Sequence, residues 1–265
     1  MKLEIKNLTC FYGNKEVLHD INIKISNGEF VSILGKNGAG KSTLFKCVLK
    51  HIKDYTGEIL VDGINTTELN ASKLSSYIAY IPQNASPVYN YSVKDIVLMG
   101  TTAGYGFFRT PGEAEEQRAL DALDKLGILA YRDRCFHHLS GGEKQLVLIA
   151  RALAQNANIL LFDEPTSALD FGNQVLVLNQ MKILSKEGFT VIQTTHNPEQ
   201  AYLFSDKIVA LKDGTVLKFG TAAEIIEKGT LMELYGWNLD VESLKDDKYR
   251  ICIPNTDNSY SSLLA

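Results

Sequence analysis

The first third of the chain changes periodicity in a readable way. "LEIKNLT" (3–9) and "INIKI" (21–25) alternate apolar and polar residues with period two, the pattern of half-buried strands. Asn27-Gly28 is a turn pair, and the "EFVSIL" that follows is apolar without alternation; together they predict a hairpin leading into a buried strand. "STLFKCVLKHI" has helical spacing, "GEILVDG" reads as a strand and turn, and "YIAYIPQ" as a strand stopped by Pro82. From about 84 to 140 the pattern is helical, in "SVKDIVLMG" and "EAEEQRALDALDKLGI", and "LVLIARALA" continues it. Strands then return in "NILLFD", "TVIQTT" and "KIVALKDGTVLKF", separated by the helical "NQVLVLNQMKILSKEG" and "NPEQAYLFS". Strands alternating with helices imply a mostly parallel sheet covered on both faces. The expectation is an α/β core (1–83 and 158–228) holding an all-helical insert (about 84–157), then a carboxyl-terminal extension (229–265) that ends in a polar, loose "NTDNSYSSLLA".

Composition narrows the picture modestly. The 265 residues are 45% hydrophobic and 22% charged, ordinary for a globular chain. A net charge of −4 lends no support to nucleic-acid binding through a basic surface. Cys10, Cys47, Cys135 and Cys252 are scattered, without the paired spacing of a zinc or redox site, and read as reduced thiols. The amino terminus alternates too strongly to serve as a secretory signal. No apolar run approaches the ~20 residues that cross a bilayer, so a membrane role requires a partner.

Three segments carry chemistry. Gly35, Lys36, Asn37, Gly38, Ala39, Gly40, Lys41 and Ser42 fit G-x-x-x-x-G-K-[ST] between a strand and a helix. Glycines let successive N–H groups close around phosphate oxygens, Lys41 brings charge to the β- and γ-phosphates, and Ser42 offers a hydroxyl to Mg²⁺. "NILLFDEP" delivers Asp163 at the end of a buried strand, suited to Mg²⁺ or its water shell. Glu164 follows, expected on the other side of the strand end, where a carboxylate can polarise an attacking water. "HLSGGEKQ" (138–145) repeats the theme, because Ser140, Gly141 and Gly142 precede a helix and offer a second anion-binding helix start. A single ATP needs only one cradle, so the second requires explanation.

Together these motifs resemble the ATP-binding subunits of ABC transporters, over nearly the whole chain to about residue 225. "LSGGE" is the most specific element. The resemblance implies a P-loop NTPase core with an amino-terminal antiparallel β part and a helical subdomain. It also implies an ATP-hydrolysing enzyme that uses ATP and Mg²⁺. By the same resemblance, Tyr12 in "FYGNKEVL" stacks on adenine and Thr43 joins the phosphate loop. Gln83 touches Mg²⁺ and senses the transmembrane partner, Asp170 of "SALD" lies in a loop crossing a dimer interface, and His196 contacts the γ-phosphate. Two copies would pack head to tail, with Ser140, Gly141 and Gly142 serving the partner's nucleotide, which accounts for the second cradle. Lys144 and Leu146 depart from the arginines of many relatives, which puts only fine tuning in doubt.

"SALDFGNQ" and the insert resemble, more loosely, the importers of iron–siderophore, haem or cobalamin complexes; cobalt, zinc and molybdate importers stay open. The implied setting is peripheral, on the cytoplasmic face of the cell membrane. Transmembrane permease subunits and, indirectly, an extracytoplasmic substrate-binding protein are the implied partners, and nucleic acid is not. Docking is expected near Gln83, in a segment holding Tyr89, Tyr91, Tyr105, Phe107 and Phe108. The alternative is an ABC-type ATPase acting on nucleic acid or ribosomes. Against it, no sustained heptads separate Lys41 from Ser140 and the chain holds one cassette.

Overall fold

The computed structural model describes residues 2–83, 90–102 and 111–255. Tyr89, Tyr105, Phe107 and Phe108 lie outside the described residues. In chain order, β1 (Leu3–Tyr12), β2 (Lys15–Ile25), β3 (Phe30–Leu34), α1 (Lys41–Val48), β4 (Tyr55–Val61), β5 (Ile64–Asn65), α2 (Ala71–Ser75) and β6 (Ile78–Ile81) form the first half. The helical part holds α3 (Val93–Thr101), α4 (Glu113–Lys125) and α5 (Gly141–Ala154). Then come β7 (Ile159–Asp163), α6 (Phe171–Lys186), β8 (Thr190–Thr195), α7 (Pro198–Phe204), β9 (Lys207–Lys212) and β10 (Thr215–Thr221). The chain closes with α8 (Ala222–Ile225), α9 (Lys228–Tyr235) and a hairpin of β11 (Leu239–Leu244) and β12 (Tyr249–Pro254).

The main sheet has the order β10-β9-β3-β8-β7-β6, parallel from β9 to β6 and antiparallel only at β10. A second sheet, β2-β1-β4-β5, is antiparallel throughout. The expected hairpin at Asn27-Gly28 does not form: β2 pairs with β1, whereas β3 pairs with β8 and β9. The reason lies in burial. All five residues of β3 are buried, so it needs cover on both faces, whereas β2 largely buries alternate residues and suits a half-solvated sheet. Gly28, at φ 74°, turns the chain from one sheet into the other.

A buried parallel strand feeds two cores at once. In β7, Ile159 and Leu161 point into the core shared with α1 and the antiparallel sheet, while Leu160 and Phe162 point into the core beneath α3 to α6. Within the insert, α3 and α5 approach each other closely over this second core. A Cβ on Gly100 of α3 would lie 2.1 Å from the carbonyl oxygen of Arg151 on α5. A third apolar cluster joins Leu34, Ile208 and Ala210 to Ile225, Leu231 and Leu234 of α8 and α9. The carboxyl-terminal extension is thereby anchored to the main sheet.

Candidate active site

Because β3, β6, β7 and β8 run parallel, their carboxyl ends open on the same edge of the sheet, the usual place for a ligand in an open α/β fold. β3 leads into the glycine loop, β6 ends at Ile81 just before Pro82-Gln83, β7 ends at Asp163, and His196 follows β8. A cleft of about 290 Å³ lies there, lined by Asn37, Gly38, Gly40, Lys41, Ser42, Thr43, Gln83, Glu164 and Val17. Gly38 (φ 84°) and Gly40 (φ 102°) hold left-handed backbone that a side chain would strain, and Gly40 is the uncapped N-cap of α1.

Lys41 is 5% exposed. Its ammonium donates to the carbonyl oxygens of Gly35 (2.9 Å) and Lys36 (3.1 Å), and stands 3.3 Å from Glu164 Oε1. Those contacts fix the charge over the cleft floor. Asp163 is buried at the end of β7 and accepts from the hydroxyls of Thr194 (2.6 Å), Ser42 (3.2 Å) and Tyr80 (3.3 Å). Burial first, and the Asp163 charge second, push the Tyr80 phenol up to about 12, so it stays a donor.

Glu164 has a positive φ of 46°, a strained conformation for a residue with a side chain. Its N–H donates to Thr194 Oγ1 at 2.9 Å, and the carbonyl oxygen accepts from Ser167 Oγ at 3.1 Å. Held from both sides, the carboxylate meets Lys41 through one oxygen. Through the other it meets Gln83 Nε2 and His196 Nδ1, both at 3.4 Å. Gln83 also donates to Ser167 Oγ at 3.1 Å. The His196 side chain is 53% exposed, and its backbone carbonyl accepts from the Tyr235 hydroxyl at 2.9 Å.

The Ser-Gly-Gly start of α5 is built differently and stands apart from this cleft. Ser140 caps α5 in a reciprocal box with Glu143, at 2.7 and 3.3 Å. Those bonds hold the Glu143 carboxyl below its ordinary value. Asp170 caps α6, accepting from the Asn173 N–H (2.9 Å) and side-chain amide (2.7 Å), and the backbone N–H leads in holding its pKa down. Asn173 ties the two motifs together, since a Cβ on Gly142 would fall 2.0 Å from its Oδ1. Neither Ser140, Gly141, Gly142 nor Asp170 lines the cleft. Tyr12 is 47% exposed at the β1–β2 hairpin and does not line it either, although Val17 of the same hairpin does.

Thr194, Tyr80, Ser167 and Tyr235 escape a reading of the sequence. Thr194 had a usable signal, because a threonine in the fully buried strand "TVIQTT" needs a hydrogen-bond partner. The others depend on contacts between distant elements.

Residues 18–167 match the profile of the ABC transporter family. The chain belongs to that family. As an ABC cassette it is an ATPase, and cassettes of the family bind ATP or ADP. An uncharacterized ABC transporter ATP-binding protein of Haemophilus influenzae is 40% identical, over 89% of each chain. The iron(3+)-hydroxamate import ATP-binding protein of Bacillus subtilis is 31% identical over 93% of this chain and 91% of its own. Among solved structures, a metal-chelate type ABC transporter described in an inward-facing conformation superposes with a TM-score of 0.84 at 32% identity, covering 98% of both chains. A dimeric ABC cassette bound to ADP and phosphate gives 0.70 at 33% identity, covering 83% of this chain and 98% of its own. No helix among the described residues is long and apolar enough to cross a membrane.

Proposed function

We propose that this chain drives a membrane importer of iron–siderophore or related metal chelates. It works as a head-to-tail dimer on the cytoplasmic face of the membrane, bound to permease subunits that receive cargo from an extracytoplasmic binding protein. The observation that carries the reading is the convergence of Lys41, Gln83 and His196 on the Glu164 carboxylate, within 3.3 to 3.4 Å, at the mouth of the phosphate loop.

In this reading the loop from Gly35 to Thr43 wraps the phosphates, Lys41 grips the β- and γ-oxygens, and Tyr12 stacks on adenine. The donor set fits Mg²⁺: Ser42 Oγ and Asp163 Oδ1 are 3.2 Å apart, both hard oxygens, with Gln83 beside them. No group of three or more His, Cys, Asp or Glu able to hold a metal occurs among the described residues, which suits a cation sharing its shell with phosphates and water. When bound, Mg²⁺ supplies neutralisation of charge on the β- and γ-phosphates. Glu164 accepts the proton of a water that attacks the γ-phosphorus, the bond to the β-phosphate oxygen breaks, and His196 steadies the γ-oxygens. Ser140, Gly141 and Gly142 serve the partner's ATP. None of the three lines the cleft of its own chain, which supports this, because a helix start can bind phosphate presented to it across an interface.

The metal-chelate reading is supported by the extent of likeness. The 98% coverage takes in the carboxyl-terminal extension as well as the cassette, whereas the 83% match leaves about a sixth of the chain outside. Deleting the gene in its source organism should abolish growth on a ferric chelate as sole iron source, with rescue by wild type but not by Lys41→Ala. A membrane pull-down should bring a polytopic protein. Recovery of ribosomes or DNA instead would overturn the assignment.

A further inference from the structure

The carboxyl-terminal extension reaches the catalytic edge at two points. Tyr235, the last residue of α9, donates its hydroxyl to the backbone carbonyl of His196 at 2.9 Å. Gly236 follows in left-handed conformation (φ 67°) and carries the chain past the phosphate loop, so that a Cβ there would lie 3.5 Å from Lys36 Nζ. The extension also grips α7, the helix that begins directly after His196. The N–H of Cys252 on β12 donates to Glu199 Oε1 in its first turn at 3.1 Å.

His196 needs such support. Its side chain is half exposed, and its imidazole touches Glu164 at 3.4 Å without burial to hold it. A half-exposed ring keeps its position only if its backbone is held, and misplacement by about an ångström can cost on the order of 10²-fold in rate. Asn197, next in the chain, caps the amino end of α7, and the Tyr235 hydroxyl adds a restraint from outside the sheet and α7. Tyr235 is itself seated by the apolar cluster that anchors α9 to β9.

We infer that Tyr235 is a positioning residue for His196, and that through it the carboxyl-terminal extension sets how well this histidine engages the reacting phosphate. This rests on the role proposed for His196. The extension is thus a brace on the catalytic edge, and displacing it would slow hydrolysis without loosening ATP.

Tyr235→Phe keeps the packed ring and removes one hydroxyl. In the full-length chain it should lower kcat about three- to tenfold, the range of one net hydrogen bond, with KM for ATP unchanged. In a His196→Ala background the same substitution should add nothing, because its effect passes through the missing imidazole. With five histidines in the chain, a ring-labelled His196 signal can be assigned by its loss in His196→Ala and should shift in Tyr235→Phe while the others stay. An unchanged kcat and unmoved signal in Tyr235→Phe would overturn the inference. So would an equal loss of kcat in both backgrounds, which would mean that the hydroxyl acts elsewhere. If His196→Ala itself leaves turnover unchanged, the role proposed for His196 fails first, and this inference with it.

Discussion

The hydroxyl of Thr194 donates to Asp163 at 2.6 Å and accepts the N–H of Glu164 at 2.9 Å, so a single side chain on β8 fixes both carboxylates at the end of β7. Thr194→Val keeps the shape and loses both bonds. Turnover should fall about 10- to 100-fold, the usual loss when the support behind a metal-site carboxylate is removed. Stability should drop by about 1–3 kcal/mol, because the Glu164 N–H loses its acceptor in a part-buried setting. Steady-state ATPase and urea unfolding measure the two effects separately. A variant with unchanged turnover would remove Thr194 from the machinery.

Glu164→Gln keeps the side-chain size and can still accept a hydrogen bond, but it no longer takes a proton. Turnover should fall by around 10²–10⁴-fold. ATP binding should survive, and an ATP-held dimer should accumulate on gel filtration. Wild-type turnover in this variant would mean that another group polarises the water.

The shared site is open to a mixing test with Lys41→Ala and Gly141→Asp. Gly141 is the better signature position, because a Cβ there meets only the flexible end of Leu169 at 2.9 Å, whereas one at Gly142 strikes Asn173 at 2.0 Å. Each homodimer should fail to trap ATP. In a mixed dimer both lesions fall on one composite site and leave the other intact. About half of the dimers should be mixed if pairing is random and symmetric. Trapped ATP in the mixture alone is expected, and its absence despite demonstrated subunit exchange would refute the head-to-tail arrangement.

Gly100→Ala tests the close packing of α3 against α5 within the helical insert. Its methyl would lie 2.1 Å from the backbone oxygen of Arg151, so α3 must move away from α5. Overpacking of this kind costs about 1–3 kcal/mol, a fall in Tm of about 2–4 °C per kcal/mol for a chain approaching this size. Differential scanning calorimetry reads it directly. An unshifted Tm would show that the two helices are not held together at this point.

Burial pushes the thiols of Cys10 and Cys47 above their ordinary value, and that of Cys252 up to about 11. A raised pKa leaves little thiolate at pH 8, and thiolate is the reactive form. Titration with a thiol reagent at pH 8 should therefore leave Cys10 and Cys47 silent until the chain is unfolded, with Cys252 slow. Rapid reaction of all cysteines in the native protein would contradict the packing of α1 against β1.

The sequence alone determined what repeats locally. Period-two and apolar runs locate the strands, and the glycine loop, "NILLFDEP" and "LSGGE" name Lys41, Ser42, Asp163, Glu164 and Ser140, since each motif is contiguous and its spacing is its chemistry. The tertiary structure decided what depends on distant pairs. It sent β3 into the main sheet rather than back onto β2, because a strand buried on both faces is stable only between two layers. It brought Thr194 and Tyr80 to Asp163, and Tyr235 to the carbonyl of His196, through hydrogen bonds between elements remote in the chain. It also folded 239–254 into a hairpin, whose turn at Lys245, Asp246 and Asp247 adopts left-handed backbone without the glycine that marks such a turn in sequence. Local pattern reports which face of an element is apolar, and only the assembled sheet decides which polar groups that face brings within hydrogen-bonding reach.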